Sequence, residues 1–267
     1  GHFGKWHLTS EGMGQPLPND QGFDYSFFSY NNANPSHRNP ENYFRNGEPE
    51  GKRTGYACQI VMDEALNWLD TITNREPFFL NIWFNEPHNK VAAPPELAER
   101  HSYRNEYYGC IENMDIEVGR LMDYLEDKGL LDNTILIFTS DNGSDKPNSN
   151  FPLRGRKAFN FEAGIRDPFI ITYTDHVPPG TESDVPGSFT DVLPSLAAFT
   201  GAKLPSDRII DGVDMTKVFK GNSTPIERET PLFFYRYFHD PVIMLREDDW
   251  CLLGYVDPIP WKDHYDV

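Results

Sequence analysis

The sequence predicts an α/β protein in which a mostly parallel sheet is sandwiched by helices. Three observations lead to this fold class. Short apolar runs of strand length alternate with segments of helical periodicity, and the runs end in polar residues. No internal repeat or low-complexity segment interrupts this alternation. The apolar runs are residues 78–84, 134–139 and 169–173, and we expect all three to be buried strands.

The clearest predicted helix lies between the first two runs. Its apolar residues recur at three- and four-residue steps, which gives the segment one apolar face. These residues are Tyr107, Ile111, Met114, Val118, Leu121 and Leu125. Gly129 stands where a C-terminal cap is expected. Another helix, with Ile60, Val61, Leu66 and Leu69 inside, precedes residue 78, and a third is predicted over residues 191–200, closed by Gly201.

Two further stretches define the predicted organisation. Residues 17–54 are rich in Asn, Pro, Gly and aromatic residues without periodicity, which predicts a long ordered loop. The composition changes near residues 221–225, and three strands are predicted after it, over 232–237, 242–245 and 250–255. We therefore predict a main catalytic domain over residues 1–222 and the beginning of a small antiparallel C-terminal subdomain over 223–267.

Composition excludes some partners. The formal net charge is −17, from 41 acidic and 24 basic residues, which disfavours a nucleic acid backbone as a partner. A few converging Lys and Arg side chains can still form a local pocket for a small anion. No apolar run reaches the length of a membrane helix. The opening residues do not match a signal peptide and include no initiator Met, so we expect the chain to begin within a longer protein.

The three cysteines, Cys58, Cys110 and Cys251, are far apart in the sequence and form no Cys-x-x-Cys pair. This spacing does not suggest a zinc site or a disulfide framework. Each cysteine lies among apolar or aromatic neighbours. We therefore predict three buried free thiols.

Chemically reactive residues follow the predicted strands, where ligands bind in open α/β sheets. The first run leads into Glu86-Pro87-His88 and the second into Ser140-Asp141-Asn142-Gly143. Lys5 and His7 are two residues apart, so both would point the same way in an extended chain. Lys157 lies shortly before the third run. The predicted site residues are Lys5, His7, His88, Asp141, Asn142 and Lys157.

These side chains suit the hydrolysis of a sulfate or phosphate ester. Lys5 and Lys157 could hold a tetrahedral anion, and His7 and His88 could transfer protons near neutral pH. Each residue alone also has a simpler explanation. A single His after a strand is usually a surface or capping residue, and a Lys beside two Arg residues is usually a solvated basic patch. Only their coincidence at several strand ends favours an active site.

Asp141 and Asn142 supply hard oxygen ligands that suit Ca²⁺ or Mg²⁺. On its own, an Asp-Asn-Gly sequence after a strand is more often a turn. A metal role for the pair therefore depends on the neighbouring reactive residues.

Together, these segments resemble the formylglycine-dependent sulfatases of the alkaline-phosphatase superfamily, in particular the group of arylsulfatase A and N-acetylgalactosamine-6-sulfatase. The resemblance holds in order and spacing over nearly the whole chain. The matching segments are Gly4-Lys5-Trp6-His7-Leu8, Gly22-Phe23-Asp24, Pro77-Phe78-Phe79-Leu80, Pro87-His88, Asp132-Asn133-Thr134, Thr139-Ser140-Asp141-Asn142-Gly143, Gly155-Arg156-Lys157, residues 162–168, Pro205-Ser206-Asp207-Arg208 and Ile210-Asp211-Gly212.

The resemblance implies an alkaline-phosphatase-like fold and a role for each site residue. Lys5 and Lys157 would bind the sulfate oxygens, and His88 would also contact the substrate by facing the leaving oxygen. His7 would lie beside the nucleophile. Asp141 and Asn142 would be two ligands of one Ca²⁺ ion.

The family's nucleophile is a formylglycine, made from the Cys or Ser of a Cys-x-Pro-x-Arg or Ser-x-Pro-x-Arg stretch by a formylglycine-generating enzyme. None of the three cysteines here is followed by Pro and Arg at those positions. We therefore expect the nucleophile and the remaining calcium carboxylates to lie outside this chain, and this fragment alone to be inactive. Asn89-Lys90 after His88 and Thr9 after Leu8 also depart from the family pattern, which affects loop shape more than chemistry.

The implied function is hydrolysis of a sulfate ester on a sulfated carbohydrate or an aryl sulfate, in a secreted, periplasmic or lysosomal protein. Two alternatives stay open. One is a non-catalytic, sulfatase-like protein that binds sulfated glycans. The other is a phosphate-ester hydrolase of the same superfamily, although no Asp-x-x-x-His metal pattern is found near Asp141.

Overall fold

The computed structural model describes residues 1–12, 16–72, 76–146, 148–236 and 242–255. The chain divides into two compact units, Gly1–Leu130 and Leu131–Val267. Helices and strands alternate along the described chain, so the predicted α/β class is confirmed. The predicted domain boundary between residues 222 and 223 stays a prediction.

The first unit contains one mixed five-stranded sheet. Its strands are β1 (His2–Lys5), β2 (Ser26–Ser29), β3 (Tyr43–Arg45), β4 (Glu48–Gly51) and β5 (Asn81–Trp83). They are ordered β4-β3-β2-β1-β5. β1 is parallel to both β2 and β5, whereas β3 pairs antiparallel with β2 and with β4. The parallel strands bring the ends of β1, β2 and β5 to one edge of the sheet.

The described part of the first unit also contains the α-helices α1 (Ala57–Leu69), α2 (Pro95–Ala98) and α3 (Asn105–Asp127). α1 packs on the sheet, with Ile60, Val61 and Ala65 in a buried cluster with Phe3, Phe27 and Tyr43. Burying an apolar side chain of this size contributes about 1.5–3 kcal/mol. The predicted cap of α3 is confirmed, because Gly129 is left-handed and its N–H and that of Leu130 bond back to the carbonyls of Glu126 and Leu125.

The prediction of a long loop over residues 17–54 is wrong, because the segment contains β2 and the hairpin of β3 and β4. Asn46 and Gly47 join the two hairpin strands with positive φ angles of 50° and 90°. Asn-Gly is the preferred pair for such a turn, so this signal was present in the sequence. The strands themselves are too short to show a periodicity.

The second unit contains two small antiparallel sheets. β6 (Leu136–Thr139) pairs with β7 (Phe169–Thr172) in one sheet. In the other sheet, β9 (Val242–Glu247) lies between β8 (Leu232–Arg236) and β10 (Trp250–Tyr255). The described α-helices of this unit are α4 (Glu162–Ile165), α5 (Val192–Thr200) and α6 (Thr216–Phe219). The predicted C-terminal antiparallel sheet is confirmed, although Tyr237, the predicted end of its first strand, lies outside the described residues.

Two burial predictions are wrong. The apolar runs are not fully buried, because Phe79 is 62% and Ile170 59% exposed. β5 lies at the edge of its sheet, and within the described residues β6 and β7 pair only with each other. These strands therefore have few neighbouring strands that could bury their side chains. Cys58 and Cys110 are buried free thiols as predicted, but Cys251 on β10 is exposed.

Candidate active site

At the end of β1, the backbones of β1 and β5 approach each other closely. Gly4 has φ +100°, and a Cβ atom at this position would lie 2.0 Å from the carbonyl oxygen of Trp83. Only glycine therefore allows these two strands to pair at this point. The next residue, Lys5, ends β1 at the carboxyl edge of the sheet.

Lys5 and His7 are both held by the loop that follows β2. Lys5 is half-buried, and its Nζ donates to Asn32 Oδ1 at 3.2 Å. The backbone N–H of His7 donates to the carbonyl of Tyr30 at 2.9 Å. The chain is not extended from Lys5 to His7, as the sequence argument assumed, because β1 ends at Lys5 and the exposed His7 has a left-handed φ of 47°.

His88 follows β5 at the same edge of the sheet. It is partly buried, its backbone N–H donates to the carbonyl of Asn85 at 3.1 Å, and its Nδ1 lies 3.1 Å from the carbonyl oxygen of Asn89. β1 and β5 are parallel, so Lys5, His7 and His88 all follow strands that end at this edge. The structure thus brings the three predicted residues of the first unit to one end of its sheet.

His37 is a neighbour of His88 that sequence reasoning missed. It is fully buried, its Nδ1 lies 3.6 Å from Cys110 Sγ, and its Nε2 has no hydrogen-bond partner. Burial and, to a smaller extent, the nearby His88 lower the pKa of His37 to about 4. His37 is therefore neutral at physiological pH and adds no positive charge beside His88. Nothing in its sequence neighbourhood separates it from an ordinary loop histidine.

Glu86 anchors the segment that presents His88. Its carboxyl group is buried, and its Oε1 accepts a hydrogen bond from the backbone N–H of Cys58 at 2.8 Å. Cys58 lies in the first turn of α1, whose N-cap residue, Tyr56, makes no side-chain cap. From the segment after β5, Glu86 therefore supplies the cap that α1 lacks. Burial raises the pKa of Glu86 to about 7, although the Cys58 N–H opposes this shift.

Replacing Glu86 with glutamine is expected to stabilise the protein at pH 8 and to flatten the dependence of its stability on pH. As the pH rises from 4.5 to about 7, the unfolded chain loses the Glu86 proton before the folded protein does. Ionisation therefore lowers the free energy of unfolding, by about 3 kcal/mol in total. Glutamine stays neutral and can still accept from Cys58. Urea unfolding at pH 5 and pH 8 measures the effect.

Three groups that interact with Glu86 do not titrate in this range. They are Tyr43, Cys58 and Cys110, and burial raises the pKa of each. Glu64 is a matched control, because it is also buried but its pKa is lowered: Arg45 and Tyr25 outweigh the effect of burial. Glu64→Gln should therefore lower stability at pH 8. A similar loss for Glu86→Gln would contradict the assignment.

In the second unit, the loop after β6 carries Asp141, which is exposed, and Asn142, which is half-buried. Gly143 brings this loop against α4, since a Cβ atom there would lie 1.7 Å from the carbonyl oxygen of Ala163. The backbone N–H of Gly143 donates to the carbonyl of Gly164 at 3.2 Å. The glycine of the Asp-Asn-Gly sequence is thus required by packing.

Lys157 lies in the same loop cluster. Its backbone N–H donates to the carbonyl of Ser144 at 3.1 Å, three residues after Asp141. Lys157 is half-buried. The structure therefore brings together the three predicted site residues of the second unit, as it does those of the first.

Asp167 is a further acidic group near this loop that the sequence did not single out. Burial and, to a smaller extent, the carboxylate of Asp141 raise the pKa of Asp167 to about 6. The two carboxylates thus lie close enough to interact. Concentrated negative charge and hard oxygen atoms are what a calcium ion requires, so Asp141 and Asn142 fit this ion as ligands. Among the described residues, no group of three His, Cys, Asp or Glu side chains could hold a metal ion, so the pair would be part of a coordination shell.

The loop of Lys157 is attached to the C-terminal sheet. Asn160 Nδ2 donates to the carbonyls of Phe234 on β8 and Val242 on β9, at 3.3 and 2.7 Å. Arg246 on β9 forms an ion pair with Glu162 at 2.7 Å. The C-terminal sheet thus supports the loop that presents Lys157.

Comparison with known proteins identifies the family. The sequence model of the family described as Sulfatase matches residues 1–202, which is more than half of the chain. The chain belongs to the sulfatase family. N-acetylgalactosamine-6-sulfatase of Mus musculus is 34% identical over 256 residues, which cover 87% of this chain and 48% of the relative. Steryl-sulfatase of Rattus norvegicus is 33% identical over 202 residues, covering 72% and 32%.

The fold agrees with solved structures of sulfatases. The crystal structure of Ps i-CgsB in complex with k-i-k-neocarrahexaose superposes with a TM-score of 0.84 and 29% sequence identity, covering 97% of this chain and 64% of that one. This sulfatase chain spans about half the length of the N-acetylgalactosamine-6-sulfatases it matches. Within the part of the chain that the structure describes, no helix is both long enough and apolar enough to cross a membrane.

The cysteines of this sulfatase chain do not suit a modified nucleophile. Burial raises the pKa of the Cys58 and Cys110 thiols, which keeps both protonated and unreactive. Cys251 is exposed but lacks the family's Pro and Arg at the second and fourth following positions. The nucleophile therefore stays assigned, as a prediction, to a segment outside this chain.

Proposed function

We propose that the complete protein hydrolyses sulfate esters, with this chain supplying most of the groups that bind the sulfate and transfer protons. The observation that carries the proposal is the pair of loop clusters in a sulfatase chain. One cluster holds Lys5, His7 and His88 at the end of the first sheet, and the other holds Asp141, Asn142 and Lys157 after β6. The reaction adds water across the bond between sulfur and the ester oxygen, giving an alcohol and sulfate.

Lys5 and Lys157 are proposed to bind the oxygens of the sulfate group. Each ammonium group offsets negative charge as it shifts within the sulfuryl group in the transition state. Asn32 supports this role for Lys5, because its side-chain oxygen accepts a hydrogen bond from Lys5 Nζ and limits where the ammonium group can lie. The hydrogen bond between Lys157 N–H and Ser144 gives Lys157 a fixed backbone position.

His88 and His7 are proposed to transfer protons. His88 protonates the ester oxygen as it leaves, so that the product departs as an alcohol rather than as an alkoxide. His7 accepts a proton beside the nucleophile during the release of sulfate. Imidazole suits both roles because its ordinary pKa lies near neutrality.

Two groups would complete the site. Asp141 and Asn142 would hold a Ca²⁺ ion together with ligands from outside this chain. The ion would supply positive charge near the sulfuryl group, and a formylglycine formed by a modifying enzyme on a Cys or Ser outside this chain would supply the nucleophile. Oxygen ligands and the negative charge shared by Asp141 and Asp167 support the metal assignment.

Replacing His88 with alanine should slow sulfate release from sugar or alkyl sulfates far more than from activated aryl sulfates. Poor leaving groups need protonation, and a general acid contributes about 10²–10⁴-fold. An aryl oxide leaves readily without it. Steady-state kinetics on 4-nitrophenyl sulfate and on a sulfated sugar give the ratio. His176→Ala is the control, since this imidazole is exposed and stacked on Tyr173. Equal losses on both substrates would rule out the acid role.

The function itself is tested by a sulfate-release assay of the complete protein, with and without a calcium chelator. The substrates should include 4-nitrophenyl sulfate, N-acetylgalactosamine 6-sulfate and sulfated galactan oligosaccharides. Release that stops with the chelator and returns with calcium supports the proposal. Release of phosphate from 4-nitrophenyl phosphate, with none of sulfate, would favour a phosphate-ester hydrolase instead. Binding of a sulfated glycan without any release would indicate a non-catalytic binder.

A sulfated carbohydrate is the proposed substrate class. N-acetylgalactosamine-6-sulfatase is named for a sulfated sugar, and the structure of Ps i-CgsB contains a neocarrahexaose. Steryl-sulfatase, named for a sterol sulfate, shows a comparable identity, so a non-sugar sulfate belongs in the same assay. A secreted, periplasmic or lysosomal location is proposed on the same family basis.

A further inference from the structure

The loop after β2, residues 29–32, contacts the segments that carry all three site residues of the first unit. Lys5 Nζ donates to Asn32 Oδ1, and the backbone N–H groups of Trp6 and His7 donate to the carbonyls of Ser29 and Tyr30 at 2.8 and 2.9 Å. This loop thus sets the position of both residues at the end of β1. We call it the β2 loop.

Asn85 joins the β2 loop to the segment of His88. Its side chain is 1% exposed, and its Nδ2 donates to Ser29 Oγ and to the carbonyl of Asn31, each at 3.0 Å. Its Oδ1 accepts from the hydroxyl of Tyr43 at 2.5 Å. Both amide hydrogens and the carbonyl oxygen are therefore satisfied by three different partners.

Asn85 also holds the main chain of His88, because its carbonyl accepts the backbone N–H of His88 at 3.1 Å. One buried residue therefore contacts the β2 loop through its side chain and His88 through its backbone. A buried amide network is fully satisfied in one geometry only, and a partly satisfied one is costly. The network consequently restricts His88 to one position relative to Lys5 and His7.

We infer that Asn85 is a positioning residue that fixes His88 against the leaving oxygen of the substrate, by locking its segment to the β2 loop. The inference rests on the proposed function, since it assigns Asn85 a role through the acid His88. A positioning role of Asn85 can be distinguished by experiment from a contribution to the stability of the fold. A purely structural asparagine changes how much protein is folded, whereas a positioning residue changes how well the folded protein protonates the leaving group.

The kinetic test compares Asn85→Ala with Asn113→Ala in the complete protein. Asn113 is a matched control, because it is 2% exposed and its amide also bonds two partners, Cys58 Sγ and Gln59 Nε2, but none in the β2 loop. The quantity measured is the rate on a sulfated sugar divided by the rate on 4-nitrophenyl sulfate. This ratio is independent of the folded fraction.

Asn85→Ala is expected to lower the ratio by on the order of tenfold or more, since small displacements of a catalytic group are costly. Asn113→Ala should leave it unchanged. Tyr43→Phe removes only the hydroxyl that bonds Asn85, so it should lower the ratio in the same direction but less, and it serves if Asn85→Ala does not fold. An unchanged ratio in Asn85→Ala or Tyr43→Phe, with an active wild type, would overturn the inference.

A second measurement does not depend on activity. Hydrogen–deuterium exchange of the peptide covering residues 85–90 should become faster in Asn85→Ala and in Tyr43→Phe, and should stay as in the wild type in Asn113→Ala. A wild type that releases no sulfate would contradict the proposed function, while the exchange data would still decide whether Asn85 fixes this segment. Unchanged exchange in residues 85–90 would overturn the inference by itself.

Discussion

Replacing Asp141 with alanine is expected to abolish calcium binding and to lower the rate of sulfate release by about a thousandfold, equivalent to roughly 4 kcal/mol of transition-state stabilisation. Asp141 supplies the only full negative charge of the proposed ligand pair, because Asn142 is neutral. Metal analysis of the purified protein measures the bound calcium, and single-turnover kinetics measure the chemical step.

Asp145→Ala is the matched control for this experiment. Asp145 lies four residues further along the same loop, is also exposed, and forms a surface ion pair with Lys146. Its replacement removes the same charge from the same loop and should leave both calcium content and rate unchanged. Unchanged calcium content in Asp141→Ala would refute the ligand assignment, and equal losses in both variants would indicate a general effect of charge.

Replacing Asp191 with alanine is expected to lower the free energy of unfolding by about 3–5 kcal/mol. Asp191 is buried and accepts hydrogen bonds from both terminal nitrogens of Arg228, at 2.9 and 2.7 Å, and from the backbone N–H groups of Ser188 and Val213. Alanine would leave the largely buried guanidinium of Arg228 without its partner. Chemical denaturation of both proteins at pH 7 measures the difference.

Asp207→Ala is the control for this prediction. Asp207 also pairs with an arginine through two hydrogen bonds, to Arg208, but both side chains are about two-thirds exposed. An exposed pair contributes no more than about 1 kcal/mol, so its loss should hardly change stability. A comparable loss in the two variants would show that burial does not determine the effect.

The ion pair between Asp191 and Arg228 is expected to stabilise the fold at neutral pH and not at low pH. Burial acts to raise the pKa of Asp191, but Arg228 and the two backbone donors outweigh it, so the pKa lies below its ordinary value. The stabilisation is therefore present at neutral pH and is lost as the pH falls towards the folded-state pKa. Arg228 lies beyond the predicted boundary near residue 222, so this pair connects the segments on either side of that boundary.

The elements with a repeated pattern could be predicted from the sequence. α3 is 23 residues long, shows helical periodicity from Tyr107 to Leu125, and is followed by Gly129 in a left-handed conformation; both features depend only on local sequence. The strands from β5 onwards were located to within a few residues, but the exposure of β5 and β7 was not predicted, because an uninterrupted apolar run does not reveal how many neighbours a strand has. The first four strands, β1 to β4, were not predicted as strands, although the Asn46-Gly47 turn between β3 and β4 was visible.

The site could be predicted in part for a similar reason. His88, Asp141 and Asn142 follow predicted strands, so strand ends were sufficient to locate them. Lys5 ends β1, which was not predicted as a strand, and was selected from its spacing to His7. His37, Asn85 and Glu86 act through contacts with residues distant in sequence, which no local pattern contains. Family resemblance supplied the roles of the residues near strand ends. It gave no role to His37, Asn85 or Glu86.

The central claim is that Lys5 and Lys157 bind sulfate oxygens of the substrate. The most direct test is a crystal structure of the complete protein with calcium and a bound sulfate or a slowly cleaved sulfated sugar. We expect the Nζ atom of each lysine within hydrogen-bond distance of a sulfate oxygen, with Asp141 and Asn142 on the metal ion. A lysine Nζ atom that contacts no sulfate oxygen in that structure would contradict its assignment.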